Sequence, residues 1–165
     1  MTLAARIRRL SVAFHGRTIL HDITLDIPAE GVTVLLGRSG SGKTTFLRAL
    51  NRLNECLPGC RTSGEAELRL GGELRPIYAG RTGEAALSDL RRRVGMVFQK
   101  PTPFPKTIFE NVAYGLRQAG VGRAEAEERA CQMLDAVGLE DQADAGVADI
   151  SGGQRQRVAL ARSLV

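Results

Sequence analysis

No apolar run in this 165-residue sequence approaches the roughly 20 residues a membrane span requires; the stretch around Val34–Leu36 is far shorter. The first residues lack an apolar leader, so no secretory signal is expected. Any association with a membrane is then expected to run through a partner. Cysteine is scarce: Cys56, Cys60 and Cys131 cannot all pair, which argues against a disulfide scaffold and for a reducing cytosol. Cys56 and Cys60 have the spacing of two metal ligands. No second Cys or His pair stands near them, however, and Leu57-Pro58-Gly59 between them reads as a turn, so no zinc site is expected. Low-complexity tracts, internal repeats and interdomain linkers are also missing. What is present, 43% hydrophobic and 25% charged residues, is the composition of one globular α/β domain. The net charge is +5, carried by scattered arginines with a single run at Arg91–Arg93. Such scatter reads as a solvated basic surface, and no nucleic-acid partner is expected.

Hydrophobic periodicity sets the order of elements. Leu10, Val12 and Phe14 alternate, His15-Gly16-Arg17 reads as a turn, and alternation resumes at Ile23, Leu25 and Ile27 until Pro28. This predicts an antiparallel pair. The short apolar run 32–36 has the pattern of a strand buried on both faces. A glycine-rich turn follows, and from Lys43 the period becomes helical, with Phe46, Leu47, Leu50 and Leu53 on one face as far as Pro58-Gly59. Ala66, Leu68 and Leu70 alternate into a hairpin turn at Gly71-Gly72, and residues 75–85 read as loop. A strand is expected at Val94–Phe98. Pro101, Pro103 and Pro105 forbid regular structure just beyond it, and helices are expected at Ile108–Gln118 and Arg123–Val137. Ser151-Gly152-Gly153 is a second glycine turn, opening a helix over Gln154–Val165.

The first glycine turn carries the chemistry. Gly37-Arg38-Ser39-Gly40-Ser41-Gly42-Lys43-Thr44 has two glycines spaced as in a phosphate-binding loop, followed by Lys and Thr, between a predicted strand and a predicted helix. Glycines let consecutive N–H groups turn inward around phosphate oxygens, and the helix adds its positive N-terminal end. Lys43 is placed to meet the β and γ phosphates, and the Thr44 hydroxyl to bind Mg²⁺. Ser151 is a good N-cap, and Gly152 and Gly153 expose N–H groups at a helix start, so the second turn is an anion site without a lysine.

Ser151-Gly152-Gly153-Gln154, preceded by Ile150 and followed by Arg155-Gln156-Arg157, resembles the signature motif of the ATP-binding-cassette (ABC) family, with Ile in place of the usual Leu. Gln99 falls where that family has its Q-loop glutamine. Phosphate loop, Gln99 and signature stand in the family's order along nearly the whole chain. The resemblance implies an α/β P-loop NTPase of the ABC type: an N-terminal antiparallel β subdomain, a RecA-like core that is incomplete here, and a helical subdomain carrying the signature. Residues 1–100 would hold the β subdomain and core part, and residues 101–165 the helical subdomain. It further implies ATP and Mg²⁺ as ligands, with the loop Gly37–Thr44 plus Thr45 around the phosphates, His15 on the adenine, and Thr44 and Gln99 on the metal. Lys43 and Gln99 would take part in catalysis, and Ser151, Gly152, Gly153 and Gln154 would complete the ATP site of a second, identical subunit. Two membrane-spanning permease subunits, and through them a periplasmic or surface solute-binding protein, would be the partners at the cytoplasmic face of the membrane. The runs 46–54, 94–106 and 111–115 resemble the ATP-binding subunit of bacterial phosphate importers. In that group Phe104, Ile108 and Tyr114 would help form the groove for a short helix of the permease; other anions or polar amino acids remain alternative solutes.

Two features depart from the family pattern. His15 stands where an aromatic residue, most often Tyr, stacks on adenine. After Ser151 the sequence holds no Asp or Glu, whereas the family places its Mg²⁺-binding Asp, catalytic Glu and switch His beyond the signature helix. The sequence is therefore expected to be an incomplete cassette, inactive by itself, with a gap at the centre of its sheet. DNA-repair relatives carry long coiled-coil or zinc insertions between loop and signature, and no sustained heptads occur there. Translation-associated cassette proteins usually pair two cassettes in one chain. An interaction module that binds ATP without hydrolysing it is a third alternative.

Overall fold

The computed structural model describes residues 2–79 and 83–165, which form two compact units, residues 1–94 and 95–165. In the first, β1 (Leu3–Phe14), β2 (Arg17–Pro28), β3 (Cys60–Leu70) and β4 (Glu73–Pro76) form an antiparallel sheet ordered β2-β1-β3-β4. β1 starts well before the expected alternation because a bulge hides its first half. Ile7 pairs with Leu25 and Leu10 with Ile23, while Arg8 pairs with Glu65 and Ser11 with Ser63, so β1 gains a residue against both neighbours. The extra residue is Arg9, at φ 46°. One added residue reverses the side-chain faces. The buried set accordingly changes from Ala5 and Ile7 to Leu10 and Val12. β2 compensates at Asp22 (φ 49°), and the polar groups released there are held by side chains: Asp22 N–H donates to Ser11 Oγ and Arg9 N–H to Thr24 Oγ1.

Helix α1 (Lys43–Leu50) packs Phe46 and Ala49 into the core formed by β1, Leu20, Ala66 and Leu68. It is shorter than its hydrophobic period suggested. Arg52 at φ 57° turns the chain into a 3₁₀ turn, Leu53–Cys56, and Leu47 points outward. Arg52 itself is buried, gripping Glu55 with two nitrogens and donating to the Ile77 carbonyl, and this local ion pair outweighs helix continuation. Helix α2 (Glu84–Arg93) occupies part of the expected loop and was not anticipated; residues 80–82 of that loop lie outside the described residues. Its weak signal is Leu87 and Leu90 at helical spacing, of which Leu90 is buried, with Arg91–Arg93 in the last turn.

Neither core strand forms. Residues 32–36 run as coil, with Val32, Val34 and Leu36 at 92%, 70% and 86% exposure, and residues 94–98 join no sheet either. An apolar run becomes a buried strand only if flanking strands satisfy its N–H and C=O groups. Among the described residues neither run pairs with a strand, although Leu35 and Leu36 line a cavity together with Leu20, Ile23 and Leu25 of β2.

The second unit holds α3 (Ile108–Gln118), α4 (Arg123–Ala136) and α5 (Gly152–Leu164) around Ile108, Val112, Leu134, Leu139, Val158 and Ala161. α3 begins with a capping box: Thr107 Oγ1 accepts from Glu110 N–H, and the Glu110 carboxylate accepts from Thr107 N–H. The proline-broken segment ahead of it is pinned by buried Asn111, whose side chain accepts from Phe104 N–H and donates to the Phe104 and Thr107 carbonyls.

Candidate functional site

The loop 37–42 passes into α1 through Gly42, whose φ of 91° suits only glycine at low cost. A Cβ there would also lie 2.8 Å from Leu20 Cδ2, so the loop sits directly against β2. Because the N-cap is glycine, no side chain caps α1, and its first turn holds no acidic residue. The first backbone bond returning to the loop is Phe46 N–H to the Gly42 carbonyl. Among the described residues the N–H groups of Lys43, Thr44 and Thr45 have no acceptor. Three donors at the positive end of a helix therefore have no partner among the described residues, and this is the arrangement that anions fill.

Lys43 folds back over the loop, donating from Nζ to the Gly37 and Arg38 carbonyls at 2.7 Å each and reaching Ser41 Oγ at 3.4 Å. Ser41 N–H closes the turn on the Arg38 carbonyl. The ammonium thus lies over the loop, and no carboxylate among the described residues is bound to it. The Thr44 hydroxyl, exposed on the first turn, is a hard oxygen suited to Mg²⁺, while Thr45 has a second task. Its carbonyl accepts from Nδ2 of Asn54, a fully buried residue that sequence reasoning passed over. Asn54 ties the 3₁₀ turn to the start of α1. A cavity of about 280 Å³ beside the loop has an apolar wall of Leu20, Ile23, Leu25, Leu35, Leu36 and Phe46, and its loop side is formed by Gly37, Ser41, Gly42 and Lys43.

His15 stands at the tip of the β1–β2 hairpin. Both turn residues have positive φ, 48° at His15 and 82° at Gly16, as a type I′ turn requires. The side chain is exposed, and its ring lies over Gly59.

The remaining site residues belong to the second unit. Gln99 is exposed in the irregular segment before the prolines. Ser151 caps α5 as expected and does so within a full capping box: its Oγ accepts from Gln154 N–H, and Gln154 Oε1 accepts from Ser151 N–H. Gln154 also donates to Gln142 Oε1 at 2.6 Å, so its amide is occupied in holding the turn. The helix starts at Gly152, not Gln154, so both glycines lie inside the first turn. They are exposed, their N–H groups have no partner among the described residues, and added Cβ atoms would meet nothing within 4 Å. Arg155, absent from the expected site, donates to the Ile150 carbonyl and shares with Lys100, Pro101, Gly152 and Gln156 a cavity of about 390 Å³. In the expected permease groove, Phe104 and Tyr114 are exposed and in ring contact at 4.7 Å, with the Arg162 guanidinium over Phe104. Ile108 does not belong with them: it is wholly buried in the helical core, because the capping box turns it inward.

Comparison with known proteins gives two findings. The family model described as ABC transporter matches residues 20–165. Among solved structures, the chain is similar to cbiO1 from Clostridium perfringens, described as part of the ABC transporter complex cbiONQ. The TM-score is 0.81 at 26% identity, and the match covers 99% of this chain and 62% of that one. The chain thus spans less than two thirds of the length of that protein.

Proposed function

Because the chain belongs to the ABC transporter family, we propose that it is the ATP-binding subunit of a membrane importer and that it holds the nucleotide phosphates with the loop 37–45. One observation carries this reading: the three unclaimed N–H groups at the start of α1 stand beside a lysine that is bound only to loop oxygens. An incoming phosphate gives the three N–H groups ionised acceptors, to which a hydrogen bond is about twice as strong as to a neutral one. Lys43 then transfers its ammonium from the Gly37 and Arg38 carbonyls to the phosphate oxygens. Mg²⁺, when bound, would offset phosphate charge during transfer; within the first unit Thr44 is the residue that would hold it, and the assignment of Gln99 to the metal rests on the family resemblance alone.

His15 would contact the adenine with its open ring face. Gly152 and Gly153 would present their N–H groups to the phosphates of a nucleotide bound by a second copy, with Ser151 and Gln154 holding the turn in shape. No helix among the described residues is long and apolar enough to cross a membrane, so we assign attachment at the cytoplasmic face to two permease subunits. The similar cbiO1 protein is itself described as part of a transporter complex, which supports that assignment. For the solute we propose inorganic phosphate, delivered by a binding protein on the outer side. Its support is the run Val94–Lys106 and its resemblance to phosphate importers.

The test is equilibrium binding of ATP with Mg²⁺ to the protein and to Lys43→Ala. A charged hydrogen bond is worth about 1.5–3 kcal/mol, so the variant is expected to lose roughly ten- to a hundredfold in affinity with unchanged circular dichroism. Equal affinities would end the reading. Loss of phosphate uptake, with amino-acid uptake intact, in cells lacking the gene would support the solute assignment; the reverse pattern would remove it.

A further inference from the structure

We infer that Gly59 is a positioning residue that holds the imidazole of His15 in the orientation from which it meets the nucleotide base, an inference that rests on the role proposed above for His15.

The contact follows from two turns packed tip to tip. Leu57-Pro58-Gly59-Cys60 closes with Cys60 N–H donating to the Leu57 carbonyl at 3.3 Å. Proline stands second, and Gly59, third, has φ 71°, the pattern of a type II turn. Phe14 pairs with Cys60 at the end of the β1–β3 ladder. Just beyond that pair, His15 N–H donates to the Gly59 carbonyl at 3.0 Å. The type I′ turn at His15-Gly16 fixes the direction in which the His15 side chain leaves the backbone.

The ring then lands on Gly59. A Cβ built there would lie 2.5 Å from Nδ1, 2.7 Å from Cε1 and 2.9 Å from Cγ of His15. Three ring atoms at nearly equal, impossibly short distances mean that the imidazole occupies the space a side chain at position 59 would need. Glycine therefore supplies a flat floor for the ring as well as the positive φ of its turn. His15 remains exposed, which leaves its ring accessible to a ligand. A stacking ring is useful only if its orientation is set before the base arrives, since each freely rotating side chain must otherwise be immobilised on binding. The small imidazole, in place of a larger aromatic, has more to gain from such a floor.

The experiment combines nuclear Overhauser measurements on the protein itself with a double-mutant cycle. Contacts between the His15 ring protons and the Gly59 α-protons are expected without nucleotide. Gly59→Ala and His15→Ala should each weaken Mg²⁺-ATP binding about three- to tenfold. In the double variant Gly59→Ala should add no further loss, because the ring it displaces is gone. Binding of inorganic tripolyphosphate with Mg²⁺, which has no base to stack, should be unchanged in all three. If His15→Ala weakens ATP and Gly59→Ala does not, the positioning role is overturned while the His15 assignment stands. If His15→Ala leaves ATP affinity unchanged, the base contact itself fails. An equal loss for tripolyphosphate in Gly59→Ala would assign the effect to a damaged fold and also overturn the inference. Should that variant not fold, absence of the ring-to-α-proton contact in the unaltered protein decides against it.

Discussion

Gly152 and Gly153 occupy the first turn of α5 with open space where side chains would be. Nothing inside the protein asks for glycine there. Glycine is the residue most costly to order, so the pair weakens the helix for no gain among the described residues, which agrees with the backbone contact to a second copy's nucleotide proposed above. Gly153→Ala is accordingly expected to stabilise the protein by about 0.4–1 kcal/mol, since alanine reduces the freedom of the unfolded chain. It should at the same time abolish ATP-dependent association of two copies. Thermal melting and analytical ultracentrifugation with and without ATP check both halves; a variant that is stabilised and still dimerises would show that the glycines serve no ligand. At this scale much of the candidate site was legible. The loop residues and the Ser151 cap follow from residue type and spacing, because turn chemistry is local. Asn54 was not legible, since its bond to the Thr45 carbonyl depends on the 3₁₀ turn that Arg52 initiates. Arg155, read only as part of the signature run, was given no role for a similar reason: its guanidinium holds a backbone carbonyl, and that bond depends on the folded turn.

Elements were legible where their hydrophobic pattern is continuous and their ends carry chemical signals. α3 was expected at Ile108–Gln118 and spans those residues, because Thr107 and Glu110 cap it in a recognisable box. β1 lost its first half to the Arg9 bulge, which breaks the alternation by one residue, and α2 was hidden by having a single buried leucine. The bulge makes Gly64 critical: a Cβ would lie 2.2 Å from the Arg9 carbonyl oxygen, and φ is 89°. Gly64→Ala should destabilise the protein by about 2–4 kcal/mol, measured by urea unfolding, because backbone on both sides must move. A loss within experimental error would mean that the strands separate easily here. The capping box gives a pH dependence. The Thr107 N–H, with Lys106 nearby, holds the Glu110 carboxyl below its ordinary range. A folded value below the unfolded one, about 4.3, gives stability that is present above that pH and lost as the pH falls through the folded value. Glu110→Gln keeps the box, because glutamine also accepts from the cap N–H, but cannot titrate. Its unfolding midpoint should therefore fall less steeply than that of the unaltered protein between about pH 5 and pH 3. Identical slopes would assign the acid sensitivity to other carboxylates.

The molecule as a whole divides its apolar residues unequally between use and exposure. The four-stranded sheet and the three helices each close a core, whereas the run 32–36 keeps the composition of an inner strand without the neighbours of one. The buried strand its pattern predicts does not form, because the pattern cannot encode whether flanking strands are at hand: pairing is a property of the sheet. Val32, Val34 and Leu36 project into solvent beside backbone that joins no sheet, and such an unpaired apolar strip is a template for another chain. The protein is therefore expected to bind a hydrophobic dye and to self-associate with rising concentration. Val34→Lys with Leu36→Lys should suppress both, because two charges on a pairing edge oppose stacking by repulsion and desolvation. These side chains lie outside both buried cores, so circular dichroism should show unchanged helix content. Light scattering across a concentration series is the measurement. If the doubly charged variant aggregates at the same concentration as the unaltered protein, the self-association arises elsewhere, and the segment containing Val97, also exposed, is the next to be charged.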